Sequence, residues 1–343
     1  MSGPRPPILV WGAGAIGGTL GAYWTRAGHE VLLVDTDAAH VTACRTVGLA
    51  IGGPVEPAFA GTIPAVVPDA LEGTFDRIVL AVKAHATPTA LDALVPHLAG
   101  DGFVLSAQNG LNERTIAARV GPERTVGAFV NFGADWQAPG RILYGNRGAV
   151  VVGELDGAVR PRTRELHALL ALFEPDAVLT DDIWGYLWGK LGYGAMLFAT
   201  ALTGESMSAN FSHPARVPVL IDLAREVTSV AAAEGVTPRG FDGYDPAAFA
   251  PGAGDAAARA CIAALADFTS RTAKTHSGIH RDLAVRKRRT EVDPQVGAVV
   301  EVARGHGLEV PLLARLVELI HDVEEGRRPL SPDTFAALAE HGA

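Results

Sequence analysis

The chain has 343 residues, of which 48% are hydrophobic and 20% are charged, and its formal net charge is −9. This length predicts two domains, each with its own core, and the composition excludes a disordered chain. The acidic balance argues against nucleic acid or an anionic membrane as partner, and no apolar run is long enough to span a bilayer. Two distant cysteines, Cys44 and Cys261, favour a reduced, cytoplasmic protein without structural zinc.

The first half of the chain alternates β-branched runs with helical stretches. The predicted strands are Ile8–Trp11, Val31–Asp35, Arg77–Val82, Phe103–Ala107 and Thr125–Phe132, followed by a final pair, Arg141–Tyr144 and Ala149–Gly153. Helices are predicted between them, at Gly17–Ala27 and Thr87–Leu98 among others. Continuous apolar strands that alternate with helices indicate a parallel sheet covered on both faces, as in a Rossmann-like doubly wound α/β domain.

From about residue 181 the pattern becomes helical. Helices are predicted at Trp184–Ala201, Val217–Glu234 and Pro294–Gly305, with a loop at Pro238–Asp255. We therefore place a boundary near residue 180. Residues 1–180 are predicted to form a dinucleotide-binding α/β domain, and residues 181–343 an all-α domain with substrate-binding and catalytic residues.

A glycine-rich loop, Gly12-Ala13-Gly14-Ala15-Ile16-Gly17, follows the first predicted strand and opens the first helix. Gly12 permits a tight turn, Gly14 lets the backbone approach a pyrophosphate, and Gly17 lets the helix pack closely on the strand. The first helical turn, which includes Ala15 and Ile16, offers N–H groups to the phosphates. The motif predicts a dinucleotide site, and the alternative is a glycine turn that binds no ligand.

Asp35 ends the second predicted strand, 18 residues after Gly17. A carboxylate at this place accepts hydrogen bonds from ribose hydroxyls and repels a 2′-phosphate. Residues 36–39 include no Arg or Lys that would hold such a phosphate. We therefore predict NAD as the cofactor, with NADP and a purely turn-capping Asp35 as the alternatives.

Polar residues follow the next two predicted strands. Lys83 lies at the carboxyl end of its strand, where ligands bind in doubly wound sheets, and it either contacts the cofactor or is a solvated lysine. Gln108-Asn109-Gly110 follows the neighbouring strand. Asn-Gly is a turn signal, and the Asn109 amide could equally face the nicotinamide or the substrate.

Lys190 is unusual because it lies in a strongly apolar helix, close to Trp188 and Leu191. In one interpretation its stem packs on the core and its ammonium reaches water. In the other the ammonium is partly desolvated, releases its proton more readily, and so suits a general acid. The pattern alone does not decide between them.

A basic segment follows later in the chain. Five of the residues from 281 to 289 are basic, but no aromatic residues alternate with them, so we expect a helix surface and not a nucleic-acid site. His276 and His280 have the spacing of two ligands on one helix face. Since no His-Glu-x-x-His pattern accompanies them, we predict no metal site.

The order of these motifs is similar to that of the ketopantoate reductase (2-dehydropantoate 2-reductase) family over nearly the whole chain. The matching segments are Gly12-x-Gly14-x-x-Gly17, Lys83, Gln108-Asn109-Gly110, Lys190-Leu191 and Thr290-Glu291-Val292-Asp293. The resemblance implies a Rossmann domain and a helical domain like the C-terminal domain of 6-phosphogluconate dehydrogenase, with the active site between them. It implies Lys190 as general acid and Glu291 as substrate-binding carboxylate. It also implies Asn109 as the active-site asparagine and Lys83 as a cofactor contact.

The chain departs from that family pattern at several positions. Asparagines usually follow four and eight residues after the lysine, where this chain has Gly194 and Phe198. The serine that holds the substrate carboxylate falls near Ser277 or Gly278, and one extra residue lies between Asp282 and Glu291. Most members use NADPH, in conflict with the acidic residue after the second strand. Because apolar replacements weaken a polar grip, we predict a substrate with a more apolar side.

Three functions remain open. The favoured one is an NAD(P)-dependent oxidoreductase that transfers hydride between nicotinamide and a 2-oxo or 2-hydroxy acid, ketopantoate included. The second is an enzyme of the same fold that acts on a more apolar alcohol, ketone or imine, and the third is a dinucleotide sensor without catalysis. A small molecule is the expected partner, and a homodimer is an open alternative to a monomer.

Overall fold

The computed structural model describes residues 6–272 and 275–340. It divides into two compact units, Met1–Ile183 and Trp184–Ala343. In the described ranges the first unit is built on β-sheets and the second on helices, so the predicted fold class is confirmed. Over the same ranges, none of the helices combines the length and the apolar composition needed to cross a bilayer.

The first unit contains two sheets and the helices that cover them. Its strands are β1 (Ile8–Trp11), β2 (Val31–Val34), β3 (Leu49–Gly52), β4 (Phe59–Gly61), β5 (Ala65–Val66), β6 (Phe75–Leu80), β7 (Leu98–Ser106), β8 (Thr125–Val130), β9 (Gly133–Ala138), β10 (Arg141–Asn146), β11 (Val150–Glu154) and β12 (Val178–Leu179). Its α-helices are α1 (Ala15–Arg26), α2 (Ala38–Thr46), α3 (Thr87–Leu94), α4 (Asn112–Val120) and α5 (Pro161–Ala171). Every strand predicted for this half is confirmed, with shifted ends.

The main sheet has the order β12-β11-β8-β7-β6-β1-β2-β5. β1 pairs in parallel with β2 on one side and with β6 on the other, whereas β11 runs antiparallel to β8. The chain leaves β1 toward β2 and later returns on the opposite side in β6. This change of direction makes the carboxyl ends of β1 and β6 a topological switch point, where doubly wound sheets bind ligands.

Side chains of β1 alternate between two hydrophobic cores. Ile8 and Val10 belong to one buried cluster, and Leu9 and Trp11 belong to another. Successive side chains of a strand point to opposite faces of a sheet, so the main sheet is covered on both faces. This explains why the strand sequences are continuously apolar rather than alternating.

A second sheet, of order β4-β3-β10-β9, is a feature that the sequence pattern did not predict. Arg141–Tyr144 and Ala149–Gly153, the last two predicted strands, are both present but lie in different sheets. β10 pairs with β3 and β9, whereas β11 joins the main sheet beside β8 and β12. The physical reason is packing: the buried Ile142 of β10 lies against Gly18 of α1, which fixes β10 in a separate layer.

The second unit contains helices α6 to α13, the first of which begins at the unit boundary. They are α6 (Ile183–Ala201), α7 (Met207–Ser212), α8 (Val217–Ala233), α9 (Asp255–Ser270), α10 (Gly278–His280), α11 (Ala298–Gly305), α12 (Pro311–Glu324) and α13 (Pro332–Ala339). π-helical turns occupy Arg281–Arg286 and Asp293–Gly297, so the helix predicted at Pro294–Gly305 is divided into a π turn and α11. The loop predicted at Pro238–Asp255 holds a 3-10 turn at Pro246–Phe249.

A half-buried carboxylate, that of Glu226, anchors α12 in this unit. Glu226 of α8 accepts the backbone N–H groups of Leu312 and Leu313, at 3.0 and 2.8 Å. These N–H groups belong to the first turn of α12, where they have no acceptor within the helix. Burial raises the pKa of Glu226, and the two N–H donors oppose that rise. The contact fixes the start of the helix whose last residue is Glu324.

The core of the first unit offers a direct test of its packing. Leu33 in β2 is 0% exposed, so Leu33→Ala leaves a cavity and should lower the free energy of unfolding by about 2–5 kcal/mol. Urea unfolding measures the change. Val47 is 83% exposed, and Val47→Ala should stay within about 0.5 kcal/mol of the original protein. Equal losses in the two variants would contradict the packing described here.

Candidate functional site

The glycine-rich loop lies at the switch point between β1 and β6. Gly12 has a φ of +97°, and a Cβ there would lie 2.8 Å from the backbone nitrogen of Val82. A Cβ at Gly17 would collide with the carbonyl oxygen of Gly12. Around Gly14, by contrast, the described residues leave a sphere of 4 Å open to an added Cβ. Two of the glycines are therefore required by the fold, and the third opens onto space.

The N-terminus of α1 faces that open space. Gly14 is the residue before the helix, and within the described chain no side chain caps the helix or places an acid in its first turn. Ala15 and Ile16 begin the helix and are half-buried. Their N–H groups have no acceptor within the helix, and the helix dipole adds a partial positive charge. This end of α1 fits the pyrophosphate of a dinucleotide.

Asp35 holds the glycine-rich loop from the end of β2. Its Oδ2 accepts the N–H of Ala13 at 2.8 Å, and its Oδ1 accepts the N–H of Asp37 at 2.9 Å. The contact with Asp37 is the turn-capping role considered in the sequence analysis. The contact with Ala13 fixes the glycine-rich loop. Since each carboxylate oxygen can accept more than one hydrogen bond, acceptors remain for ribose hydroxyls.

A second carboxylate lies two residues further along. Asp37 caps α2 by accepting the N–H groups of Ala39 and His40 at 2.9 and 3.0 Å. Both carboxylates are therefore fixed near the end of β2. Two fixed negative charges disfavour a 2′-phosphate at this place.

His40 is part of the site and was not found from the sequence. It is buried, and its Nε2 donates to the carbonyl of Ala13 at 2.8 Å. The N–H of Gly140 donates to Nδ1 at 3.0 Å, which assigns the proton to Nε2. His40 thus joins the glycine-rich loop to the turn between β9 and β10. A single histidine in a helix gave no sequence signal of this role.

Lys83 follows β6 at the same edge of the main sheet. Lys83 is exposed and directly precedes a 3-10 turn at Ala84–Ala86. The adjacent loop is held by Gln108, whose Nε2 donates to the carbonyl of Val82 at 2.9 Å and to Thr87 Oγ1 at 2.7 Å. The Oε1 atom of Gln108 is buried and has no hydrogen-bond partner within the described ranges.

Asn109 is half-buried at the end of the neighbouring strand β7. Its carbonyl accepts the Nδ2 of Asn112 at 2.6 Å, and Asn112 Oδ1 accepts the hydroxyl of Thr87 at 2.9 Å. Gly110 completes the turn with a φ of +95°. Both the turn role and a position at the ligand-binding edge therefore hold for this segment.

In the helical unit, Lys190 lies within α6. The residue is half-buried, whereas its neighbours Trp188 and Leu191 are buried, at 0% and 4% exposure. Gly194 follows one turn later, and a Cβ there would lie 3.5 Å from Gln295 Oε1. Phe198 is fully buried. A contact of this ring with the substrate stays a prediction.

Glu291 is held by the residues on either side of it. The backbone N–H and the hydroxyl of Thr290 both donate to Glu324 Oε1 at 2.7 Å, and the N–H of Val292 donates to Thr290 Oγ1 at 3.2 Å. Glu291 itself is 6% exposed. The end of α12 thus fixes the backbone from which the Glu291 side chain starts, a contact that sequence reasoning missed.

Ser277 and Gly278 lie apart from these hydrogen bonds. Ser277 is buried, and its Oγ accepts the N–H of His280 at 3.2 Å to begin α10, while Gly278 is exposed. The rings of His276 and His280 pack together with centroids 4.3 Å apart. Burial and the neighbouring His276 lower the pKa of His280.

The basic segment is partly neutralised within the fold. Arg286 and Arg288 pair with the buried carboxylate of Asp282 at 3.3 and 2.9 Å. These charges therefore stabilise the turn that contains them.

The structure brings the predicted residues together in two sets, one in each unit. In the first unit, the glycine-rich loop, Asp35, Lys83 and Asp37 share the carboxyl edge of the main sheet, and the Asn109 turn follows the adjacent strand. In the second, the Lys190–Gly194 turn of α6 meets the segment of Glu291 through Gln295. The sequence pattern did not identify Gln295, Glu324 or His40, and only their tertiary contacts connect them with these two sets.

Comparison with known families matches both halves of the chain. The model described as ketopantoate reductase PanE/ApbA matches residues 8–157, and the model of the ketopantoate reductase PanE/ApbA C terminal matches residues 182–324. A 2-dehydropantoate 2-reductase of Halobacterium salinarum is 29% identical over 324 residues, which cover 91% of this chain and 97% of that protein. The enzyme of that name from Archaeoglobus fulgidus is 28% identical, with 93% and 98% covered.

Solved structures share the fold. A D-mandelate dehydrogenase in complex with NADH and anilino(oxo)acetate has a TM-score of 0.80 at 23% identity, with 94% of this chain and 99% of that chain covered. A PanE/ApbA family ketopantoate reductase from Ralstonia eutropha has a TM-score of 0.77 at 25% identity, with the same coverage.

The two glycines Gly14 and Gly17 form a matched pair for testing the loop. Gly14→Ala adds a methyl group to open space, so the unfolding midpoint should hold while the Kd for NADH rises about tenfold or more, because the methyl occupies room for the pyrophosphate. Gly17→Ala should lower both stability and binding, because its methyl meets the Gly12 carbonyl. Fluorescence titration and thermal unfolding measure the two effects. Unchanged NADH binding by folded Gly14→Ala would contradict the assignment.

Proposed function

Because the chain belongs to the ketopantoate reductase PanE/ApbA family and is an NAD(P)-dependent oxidoreductase, we propose that it reduces 2-oxo acids to 2-hydroxy acids with NADH. The observation that carries the proposal is the combination of an uncapped helix behind Gly14 with a half-buried lysine, Lys190, whose neighbours are buried. The first feature fits a dinucleotide, and the second fits a proton donor.

A nicotinamide cofactor, when bound, would supply a hydride for the carbonyl carbon of the substrate. The Lys190 ammonium donates its proton to the carbonyl oxygen, so that the oxygen becomes a hydroxyl and the lysine becomes a neutral amine. In the oxidative direction the amine accepts that proton. The 6-phosphogluconate dehydrogenase-like all-α unit would thus supply the acid.

The remaining candidate residues bind and orient. Glu291 positions the substrate hydroxyl or the lysine ammonium, and Thr290 fixes its backbone through Glu324. Asn109 holds the reacting groups in line, and Lys83 contacts the cofactor. Ser277 and Gly278 are retained as further candidates for binding the substrate.

For the choice of cofactor, we propose NAD. Asp35 and Asp37 are both fixed at the end of β2, and their charges oppose the 2′-phosphate of NADP. The D-mandelate dehydrogenase structures are NADH complexes, in agreement with this choice.

The neighbouring structure also favours a second candidate substrate. It holds anilino(oxo)acetate, a carboxylate whose neighbouring carbonyl group carries an anilino substituent, and so suggests a 2-oxo acid with an aromatic substituent. A more apolar alcohol, ketone or imine, and a sensor that binds without turnover, remain as alternatives. A homodimer also stays a proposal, suggested by a related structure from Staphylococcus aureus described as a dimeric ketopantoate reductase.

The activity and the acid are tested together. The purified protein should oxidise NADH when ketopantoate, trimethylpyruvate or phenylglyoxylate is added. Lys190→Met should lower kcat by about 10²–10⁴-fold with little change in NADH affinity, because only proton donation is lost. NADH absorbance and fluorescence give the two readouts. Lys287 is exposed, so Lys287→Met is the matched control. Tight NADH binding without turnover of any substrate would instead support the sensor, and full activity of Lys190→Met would remove the proposed acid.

The cofactor choice rests on charge and is tested separately. Asp35→Asn keeps an acceptor oxygen but removes the negative charge, so the preference for NADH over NADPH, as a ratio of kcat/KM values, should fall about tenfold. Asp101 is exposed in β7, and Asp101→Asn should leave the ratio unchanged. An original protein that prefers NADPH would overturn the choice of NAD.

A further inference from the structure

Gln295 lies over a glycine of the lysine helix. Apart from the two adjoining residues and the backbone of α6, Gln295 Oε1 is the one described heavy atom within 4 Å of a Cβ built at Gly194, at 3.5 Å. The space that a side chain at position 194 would fill is thus bordered by one carboxamide. The residue carrying it is half-buried in the π-helical turn Asp293–Gly297. A polar group beside open space is the arrangement of a binding site and not of a core.

The same contact is one helical turn from both candidate chemical groups. Lys190 precedes Gly194 by four residues in α6, and side chains with that spacing share a helix face. Glu291 precedes Gln295 by four residues, and the N–H of Gln295 donates to the Glu291 carbonyl at 3.2 Å, so a helical turn joins them. The carboxamide therefore lies beside the turns that carry the proposed acid and the proposed carboxylate.

The carboxamide is also available to a ligand. Across residues 6–272 and 275–340, none of the hydrogen bonds involves the side chain of Gln295. A carboxamide offers two donor hydrogens and an acceptor oxygen, so it can bind a hydroxyl in either direction. An apolar side chain at this place would have no such capacity, and leaving a substrate hydroxyl unpaired there would cost binding free energy.

We propose that Gln295 is a specificity residue that hydrogen-bonds a hydroxyl on the side chain of the 2-oxo acid, in the space left by Gly194. The inference rests on the proposed function, since it assumes a 2-oxo acid beside Lys190. The sequence led us to expect an apolar surface around position 194. We propose instead that the Gln295 amide, which comes from another segment, takes the place of the missing side chain at position 194.

Two substrates that differ by one hydroxyl test the proposal. Ketopantoate carries a hydroxyl where trimethylpyruvate carries a hydrogen. Gln295→Leu should lower kcat/KM for ketopantoate about tenfold, mainly through KM, and leave trimethylpyruvate unchanged, because only the hydroxyl contact is lost. Gln137 is exposed in β9, and Gln137→Leu is the matched control that should change neither value.

A second variant, at position 194, distinguishes the loss of the hydroxyl contact from a change in local packing at Gln295. Gly194→Leu fills the space against the carboxamide and should give the same selective loss, with thermal unfolding reporting whether each variant is folded. Equal losses for both substrates, or no loss with ketopantoate, would overturn the role of Gln295. Failure of the original protein to reduce either acid would instead overturn the proposed function, and is seen before any variant is made.

Discussion

The hydrogen bond from the Ala13 N–H to the Asp35 carboxylate fixes the geometry on which the nucleotide-binding half depends. It joins the carboxyl ends of two parallel strands, β1 and β2, at 2.8 Å. The loop can follow this path because Gly12 and Gly17 leave no room for side chains between helix and strand. On the other side of the same residue, His40 Nε2 donates a hydrogen bond to the Ala13 carbonyl. With both peptide groups of the turn held, the N–H groups of α1 remain directed at open space.

The helical half uses a similar principle with different elements. Glu226 holds the first turn of α12, and Glu324 at the end of that helix holds Thr290. The backbone of Glu291 is thereby fixed by a helix that is far from it in sequence. Preorganised side chains of this kind lose little entropy when a ligand binds. The lysine helix contributes Lys190 on one turn and an open position, Gly194, on the next.

The sequence-based account succeeded where a signal is local. The Rossmann-like fold follows from apolar strands between helices, and the loop at Gly12–Gly17 is recognised because it stands between a strand and a helix. It missed β3, β4, β5, β9 and β12, of which all but β9 have only two to four residues. The division of β10 and β11 between two sheets was also not predicted, because strand pairing depends on which face of α1 remains to be covered.

What the sequence determined by itself is the succession of an α/β half and a helical half, and the family to which the chain belongs. These features are local patterns of hydrophobicity, glycine and charge along the chain. Only the tertiary structure decided that Asp35 holds the loop it follows, that His40 belongs to it, and that Gln295 borders the space beside Gly194. Each of these contacts joins residues separated by 22 to 101 positions, and the energy that selects them comes from packing of whole elements.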